Sequence, residues 1–89
     1  MRIWGKLFQE NHMIRNYVAE NQDETLSRTG KVFACLEEIC REFDLSQPIW
    51  LDANIRDFQR YAKTRFRSDN FMESIDFDFL EFHVIEEDR

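Results

Sequence analysis

The sequence predicts a single α+β domain over residues 1–89, with a small, mainly antiparallel sheet of about three strands and two helices packed on one face of it. Two runs rich in β-branched and aromatic residues open the chain, a stretch with helical periodicity follows, and an alternating apolar segment closes it. Aromatic residues make up 15% of the chain, and their large buried area lets a short chain form one core. The predicted order of elements is β-β-α-α-β.

Residues 2–8 and 13–19 are the first two predicted strands, because each run is short and rich in strand-forming residues. The polar residues 9–12 between them suit a hairpin loop. Gly5 interrupts the first run, and a glycine inside a strand indicates either a bulge or a close neighbour.

The first strand carries large apolar side chains on both faces. Ile3 and Leu7 lie on one face, and Trp4 and Phe8 lie on the other. Because the helices can cover only one face, we expect Trp4 and Phe8 to bind a partner, and a homodimer would supply one. The alternative is that the polar loop 20–30 or the C-terminal tail folds over this face.

The first predicted helix begins near Lys31, with Thr29 as its N-cap. Apolar residues recur at helical spacing over residues 32–43, which is the strongest helical pattern in the chain. The helix should end before Pro48, since proline disfavours helical geometry in the residue ahead of it.

The second predicted helix follows Asp52, a suitable N-cap, and extends to Arg67. Residues 74–86 then alternate as a strand. The phase of this alternation slips by one residue after Phe79, which indicates a bulge or a break between two strands. The core is predicted to include Phe33, Leu36, Ile39, Phe43, Phe58, Ala62, Phe77 and Phe82.

Four cations recur at helical spacing on the second predicted helix: Arg56, Arg60, Lys63 and Arg67. At about 100° per residue they fall within roughly 60° of arc, away from the apolar side of the helix. Such a stripe could dock on a nucleic-acid backbone or on an acidic partner. The other interpretation, which we favour, is the solvent face of an amphipathic helix.

Residues 47–51 place Trp50 and other apolar residues where the chain should turn between the helices. We favour the interpretation that Trp50 closes one end of the core. The alternative is an exposed docking residue, since tryptophan is enriched where protein partners bind.

The chain is acidic, with 12 Lys and Arg residues against 18 Asp and Glu residues, a formal net charge of −6 and a pI near 4.8. This balance argues against the whole domain as a nonspecific binder of nucleic acid or anionic membranes, because affinity for phosphate depends on cationic charge. No apolar run is long enough for a signal peptide or a membrane span. Cys35 and Cys40 point to different faces of their helix, which fits two free thiols in a reducing compartment. We therefore expect a cytoplasmic protein with no membrane partner.

The residues that could carry chemistry do not form a recognisable catalytic or metal site. Asp76 and Asp78 share a strand face near Glu81, but alternation of acids with Phe is typical of a half-buried strand. The Gly-Lys pair in residues 29–31 lacks the rest of a phosphate-binding loop. The two histidines and two cysteines do not have the sequence spacing of zinc ligands; they are His12, His83, Cys35 and Cys40. We expect no catalytic residue, no bound metal and no cofactor.

These patterns do not identify a function directly. Missing catalytic spacings, dense aromatic residues and an open edge in a small sheet favour a non-catalytic cytoplasmic protein-interaction module, which acts on a partner protein or on its own copy. The alternative is a nucleic-acid-associated or regulatory protein that docks the helix face Arg56–Arg67 on phosphates. The residues expected to contact a partner are Trp4, Phe8, Trp50, Arg56, Arg60, Lys63 and Arg67.

Overall fold

A computed structural model describes residues 1–88 of the chain. Its sheet has four strands, one more than the sequence predicts. The elements are β1 (Arg2–Gln9), β2 (His12–Glu20), α1 (Arg28–Glu42), α2 (Asp52–Tyr61), β3 (Lys63–Phe66) and β4 (Phe79–Glu86), with a 3-10 turn at Ser68–Asn70 between the last two strands. All neighbouring strands are antiparallel, and their order is β2-β1-β4-β3. The α+β class, the antiparallel sheet and the two helices agree with the prediction, whereas the element order is β-β-α-α-β-β.

β3 is the strand that the sequence prediction missed. α2 ends at Tyr61, because Ala62 adopts a left-handed backbone with φ of 53° that stops the helix. The chain then becomes extended, so that successive side chains point to opposite faces of the sheet and every second one, Thr64 and Phe66, is buried. The prediction of one helix continuing to Arg67 is therefore wrong.

The β1–β2 hairpin agrees with the prediction. Glu10 and Asn11 form its two-residue turn, and both have positive φ, of 51° and 66°. Such turns match the right-handed twist of paired strands. A bulge lies nearby, because Leu7 pairs with Arg15 and the next pair is Phe8 with Met13.

α1 packs on β1 and β2 across a close contact at Gly5. A Cβ atom at Gly5 would lie 2.5 Å from Cγ2 of Ile39, whose side chain is fully buried. Of the two reasons that the sequence offered for this glycine, the close neighbour is thus the correct one. α2 packs on the same face of the sheet, where Phe58 stacks on Phe82 of β4 with ring centroids 5.6 Å apart.

The core matches the prediction except at two positions. Phe33 is 47% exposed and Ala62 is only half-buried, so their placement in the core is wrong. Phe33 instead lies at the edge of the core beside Trp50, with ring centroids 6.1 Å apart. Cys35 faces the sheet in its place and is buried.

The boundaries of the other elements differ slightly from the predicted ones. Ser27, not Thr29, caps α1, since its Oγ accepts a hydrogen bond from the Gly30 N–H at 3.1 Å. Asp52 is the first residue of α2 rather than its cap. β4 begins at Phe79, the residue after which the apolar alternation shifts by one position. This shift therefore marks the start of the strand.

A buried amide pair joins α2 to the segment around β3. The Asn54 side chain donates to Thr64 Oγ1 at 2.9 Å, and the Asn70 side chain donates to Asn54 Oδ1 and to the Ile49 carbonyl oxygen. Asn70 Oδ1 in turn accepts from the Arg67 backbone N–H at 2.8 Å. These bonds satisfy the buried amides and fix the position of β3 at the sheet edge.

Candidate functional site on the helix-free face of the sheet

The side of the sheet opposite the helices carries a row of aromatic rings. Phe8 of β1 and Phe79 of β4 are directly paired, and their rings stack with centroids 5.0 Å apart. Trp4 and His83 form another directly opposed pair on the same two strands. The Trp4 Nε1–H donates to Asn16 Oδ1 of β2 at 3.2 Å, which fixes the orientation of the indole. All four rings are half-buried.

Cations cover two of these rings, Trp4 and Phe79, in place of a second protein layer. The Lys6 ammonium lies 3.9 Å from the centre of the Trp4 ring. The guanidinium groups of Arg65 and Arg67 lie 4.5 and 5.5 Å from the centre of the Phe79 ring. All three contacts are within the range of cation–π attraction, and the side-chain stems of the cations shield the rings from water.

Glu81 is the carboxylate at the centre of this face, and its side chain is 7% exposed. Its oxygens lie 3.5 Å from the Lys6 ammonium and 3.7 Å from the charged nitrogens of Lys63 and Arg65. Arg67 adds a fourth cation. Around Glu81, four cations thus stand against one carboxylate, although the chain as a whole is acidic. Arg2 and Glu86 pair with each other at 3.7 Å further along β1 and β4. We call the face formed by Trp4, Phe8, Phe79 and His83 with Lys6, Lys63, Arg65, Arg67 and Glu81 the cationic–aromatic face.

The surroundings of His83 favour the neutral form of its imidazole. Burial lowers the pKa of its imidazole, and the nearby charges of Lys6 and Lys63 lower it further, while Glu81 acts in the opposite direction. The Nδ1 atom of His83 is buried and has no hydrogen-bond partner among the described residues.

The predicted basic stripe is split between two surfaces. Arg56 and Arg60 are exposed on α2, whereas Lys63 lies on β3 and Arg67 follows it. The four residues do not share a helix, because the helical spacing continues only to Tyr61. Lys63 and Arg67 belong instead to the cationic–aromatic face, together with Arg65, at the period of two that a strand requires.

This spacing was present in the sequence. Residues 63–67 read Lys-Thr-Arg-Phe-Arg, in which cations alternate with residues that suit a sheet interior. The apolar spacing of Phe58, Ala62 and Phe66 also fits a helix, and the longer helical pattern concealed the strand.

The tail and the loop, which the alternative interpretation places over Trp4 and Phe8, make contacts elsewhere. Asp88 forms a 2.7 Å ion pair with Lys31, and Glu87 pairs with Arg28 at 2.6 Å, so this end of the chain lies against α1. The backbone N–H of Asn21, at the start of the loop, donates to the Met1 carbonyl oxygen.

Trp50 closes one end of the core, as the favoured interpretation predicted. Its indole makes edge-to-face contacts with Phe58, Phe66 and Phe82 at centroid distances of 5.0 to 6.1 Å. The residue is half-buried, and its Nε1–H has no acceptor within the described part of the chain.

An apolar groove of about 330 Å³ lies between the two helices beside Trp50. Phe33 and Ile55 are 47% and 43% exposed at this groove. Its lining consists of Arg28, Thr29, Val32, Phe33, Trp50, Ile55, Phe58 and Gln59. Arg28 is engaged by Glu87, so no free charge among these lining residues selects an occupant.

The other groups singled out in the sequence have structural surroundings. The Asp78 carboxylate accepts the Glu10 backbone N–H at 2.8 Å and so braces the β1–β2 turn. Burial raises the pKa of the Cys35 thiol to about 11 and that of Cys40 to about 12. Within residues 1–88, no three His, Cys, Asp or Glu side chains cluster closely enough to hold a metal ion. Neither described helix has the length and hydropathy required to cross a membrane.

Comparison of the chain with family models, curated proteins and solved structures gave no match. The cationic–aromatic face is therefore the feature of this chain whose chemistry best indicates a function.

Proposed function

We propose that this protein is a small, non-catalytic interaction module that binds an anionic partner through its cationic–aromatic face. The observation that carries the proposal is the placement of cations over the Phe79 and Trp4 rings on the helix-free face. Arg65 and Arg67 are accessible on their outer sides, since Arg67 is exposed and the Arg65 side chain is 46% exposed. A partner can pair with these charges while their stems stay packed on the rings.

The chemistry of the described side chains supports a binding role rather than catalysis. Glu81, the buried carboxylate of the face, is already engaged by Lys6, Lys63 and Arg65. The two thiols are protonated near neutral pH because their pKa values are raised, and a protonated thiol is a poor nucleophile. Two buried, unpaired thiols also fit the cytoplasm as the proposed compartment.

Self-association through this face is a weaker candidate. A two-fold dimer places the same patch of both copies in contact, which would bring Lys6 and Arg65 of one copy close to those of the other. Like charges in direct opposition destabilise such a contact. The homodimer through Trp4 and Phe8 remains a prediction, and light scattering over a concentration series tests it.

Retention on heparin tests the binding of anions, because heparin carries dense negative charge but no bases or peptide groups. The test variant is Arg65→Gln with Arg67→Gln, and the control is Arg56→Gln with Arg60→Gln. Both variants remove two positive charges from exposed arginines, so they have the same net charge.

We expect the wild type and the α2 control to be retained at low salt and the Arg65/Arg67 variant to flow through, with all three folded by circular dichroism. Equal behaviour of the two variants would exclude the cationic–aromatic face as the binding surface. Flow-through of the wild type would contradict anion binding altogether.

A further inference from the structure

The proposed function does not specify the chemical class of the anionic partner. The arrangement of rings and charges favours one such class. We propose that the cationic–aromatic face binds single-stranded nucleic acid, with bases on the Phe8 ring and on the guanidinium planes that lie over Phe79, and with phosphates along β3. This inference rests on the proposed function, because it requires that the same face bind anions.

The aromatic part of the face suits unpaired bases. Phe8 and Phe79 present a stacked pair, and Trp4 lies further along β1 on the same face. Four-stranded antiparallel sheets with aromatic side chains on one face can stack two or three splayed bases. An acidic peptide would pair with the cations, but its carboxylates have no flat π surface to place on these rings.

The cationic part of the face suits an extended phosphate backbone. Lys63 and Arg65 lie two positions apart on β3. Arg67 follows two positions later, just past the end of the strand, where the backbone is still extended. Successive cations on one strand face are therefore about 6.7 Å apart along the strand. A row of this kind lies parallel to the row of rings on β4 and β1, so one bound strand could contact both.

Arg65 and Arg67 also contribute flat surfaces. A guanidinium group is planar and stacks on aromatic rings and on bases. Each of these guanidiniums already lies over Phe79, so its outer side is available to a base or to a phosphate oxygen. The negative charge elsewhere on the chain limits affinity and favours a few local contacts over a long binding track.

The binding experiment measures fluorescence anisotropy of a labelled oligothymidylate of about twelve nucleotides, a length within the site sizes of small single-strand binders. Unlabelled competitors are the duplex of the same length, and a polyglutamate peptide and a heparin fragment of the same charge. The variants are the Arg65/Arg67 and Arg56/Arg60 pairs described above, together with Phe79→Leu and Phe79→Tyr.

We expect the oligothymidylate to bind with a slope of log K against log salt of about −2 to −3, as three or four phosphate contacts require. The Arg65/Arg67 variant should reduce the magnitude of this slope by about 1.4, because it removes two contacts, and the Arg56/Arg60 control should keep the full slope. Phe79→Leu should weaken oligothymidylate binding between about fivefold and a hundredfold, reduce heparin retention far less than the Arg65/Arg67 variant does, and be rescued by Phe79→Tyr. If Phe79→Leu does not fold, Trp4→Leu takes its place.

The outcomes separate the inference from the proposed function. If polyglutamate and heparin bind through Arg65 and Arg67 but the oligothymidylate does not, the nucleic-acid inference is wrong and the anion-binding module stands. If the duplex competes as well as the single strand, or if removal of the ring has no effect, base stacking is wrong. If none of these polyanions binds the wild type, both proposals are overturned. Loss of binding in the Arg56/Arg60 control would assign the site to α2 instead.

Discussion

Replacement of Gly5 by alanine tests the most demanding contact in the fold. The new Cβ would lie 2.5 Å from Cγ2 of Ile39, about 0.9 Å inside the 3.4 Å limit of ordinary contact. Ile39 cannot easily move away, because it is fully buried and a β-branched side chain on a helix has essentially one χ1 rotamer. Either α1 must shift away from β1 or the side chain must leave its rotamer.

The expected loss of stability follows from two opposing terms. Overpacking of a filled core costs about 1–3 kcal/mol, and this contact is short enough to lie near the upper value. Alanine restricts the unfolded chain more than glycine does, which returns about 0.4–1 kcal/mol. The net loss for Gly5→Ala is then about 2 kcal/mol, which corresponds to a fall in Tm of about 8–16 °C for a domain of this size.

Urea unfolding of a double-mutant cycle decides whether the contact with Ile39 is the cause. Ile39→Ala alone should lose about 2–5 kcal/mol. Because it removes the three Ile39 carbons nearest to the new methyl group, Gly5→Ala should cost almost nothing further in that background. The double mutant would then be about 2 kcal/mol more stable than the sum of the single changes predicts. Additive losses would refute the packing argument.

The same substitution at the other glycine is the control. Gly30 lies in the first turn of α1, and an added Cβ would meet Ser27 Oγ at 3.4 Å, which is an ordinary contact. Gly30→Ala should therefore stabilise the protein by about 0.5–1 kcal/mol, the opposite sign to Gly5→Ala.

Further predictions concern the core, the helix cap, the thiols and the histidine. Leu36→Ala should lose about 2–5 kcal/mol in urea unfolding, and a melting temperature within a degree of the wild type would contradict its burial. Ser27→Ala should lower the free energy of unfolding by about 1 kcal/mol, and an unchanged stability would contradict the role of Ser27 as a stabilising cap. Cys35 and Cys40 should react with a thiol reagent only after unfolding and without prior reduction; fast labelling of the native protein would contradict their burial. The pKa of His83 is lowered in the folded state, so the unfolded chain binds more protons below the ordinary value near 6.5, and stability should fall as pH decreases through that value. His83→Gln should flatten this pH dependence in chemical denaturation, and an unchanged curve would assign the dependence to another group.

The parts of the fold that the sequence predicts are those in which one pattern dominates. Residues 32–43 have apolar positions at helical spacing and no competing pattern, and α1 forms there. The β1–β2 hairpin is similar, because two strand-forming runs flank a short polar turn. Gly5 is unusual in the sequence as a glycine inside a strand, but its neighbour Ile39 lies far away along the chain and is apparent only in the structure.

Errors arose where two periodicities overlap or where the backbone adopts a rare conformation. Ala62 and Phe66 continue a helical spacing, while residues 63–67 also alternate with a period of two. The choice between them depends on the left-handed backbone of Ala62, which is uncommon for a residue with a Cβ and has no reliable sequence signal.

The candidate site was predicted only in part, for the same reason. The sequence indicates Trp4, Phe8, Lys63 and Arg67 only as separate candidates, and the structure brings them to one face. Their association depends on β4, which lies between β1 and β3 in the sheet and supplies the aromatic ring that Arg67 covers.

The buried amides of Asn54 and Asn70 have a consequence for how the molecule opens. β3 has four residues and lies at a sheet edge, where strands of that length usually fray. Here its hydrogen bonds to β4 are reinforced by side-chain bonds that reach the loop before α2 and the 3-10 turn after β3. The segment from Ile49 to Asn70 should thus exchange its amide hydrogens as one cooperative unit, with a common opening free energy. A ligand on the arginines of this unit would slow that exchange even in α2, on the opposite side of the sheet.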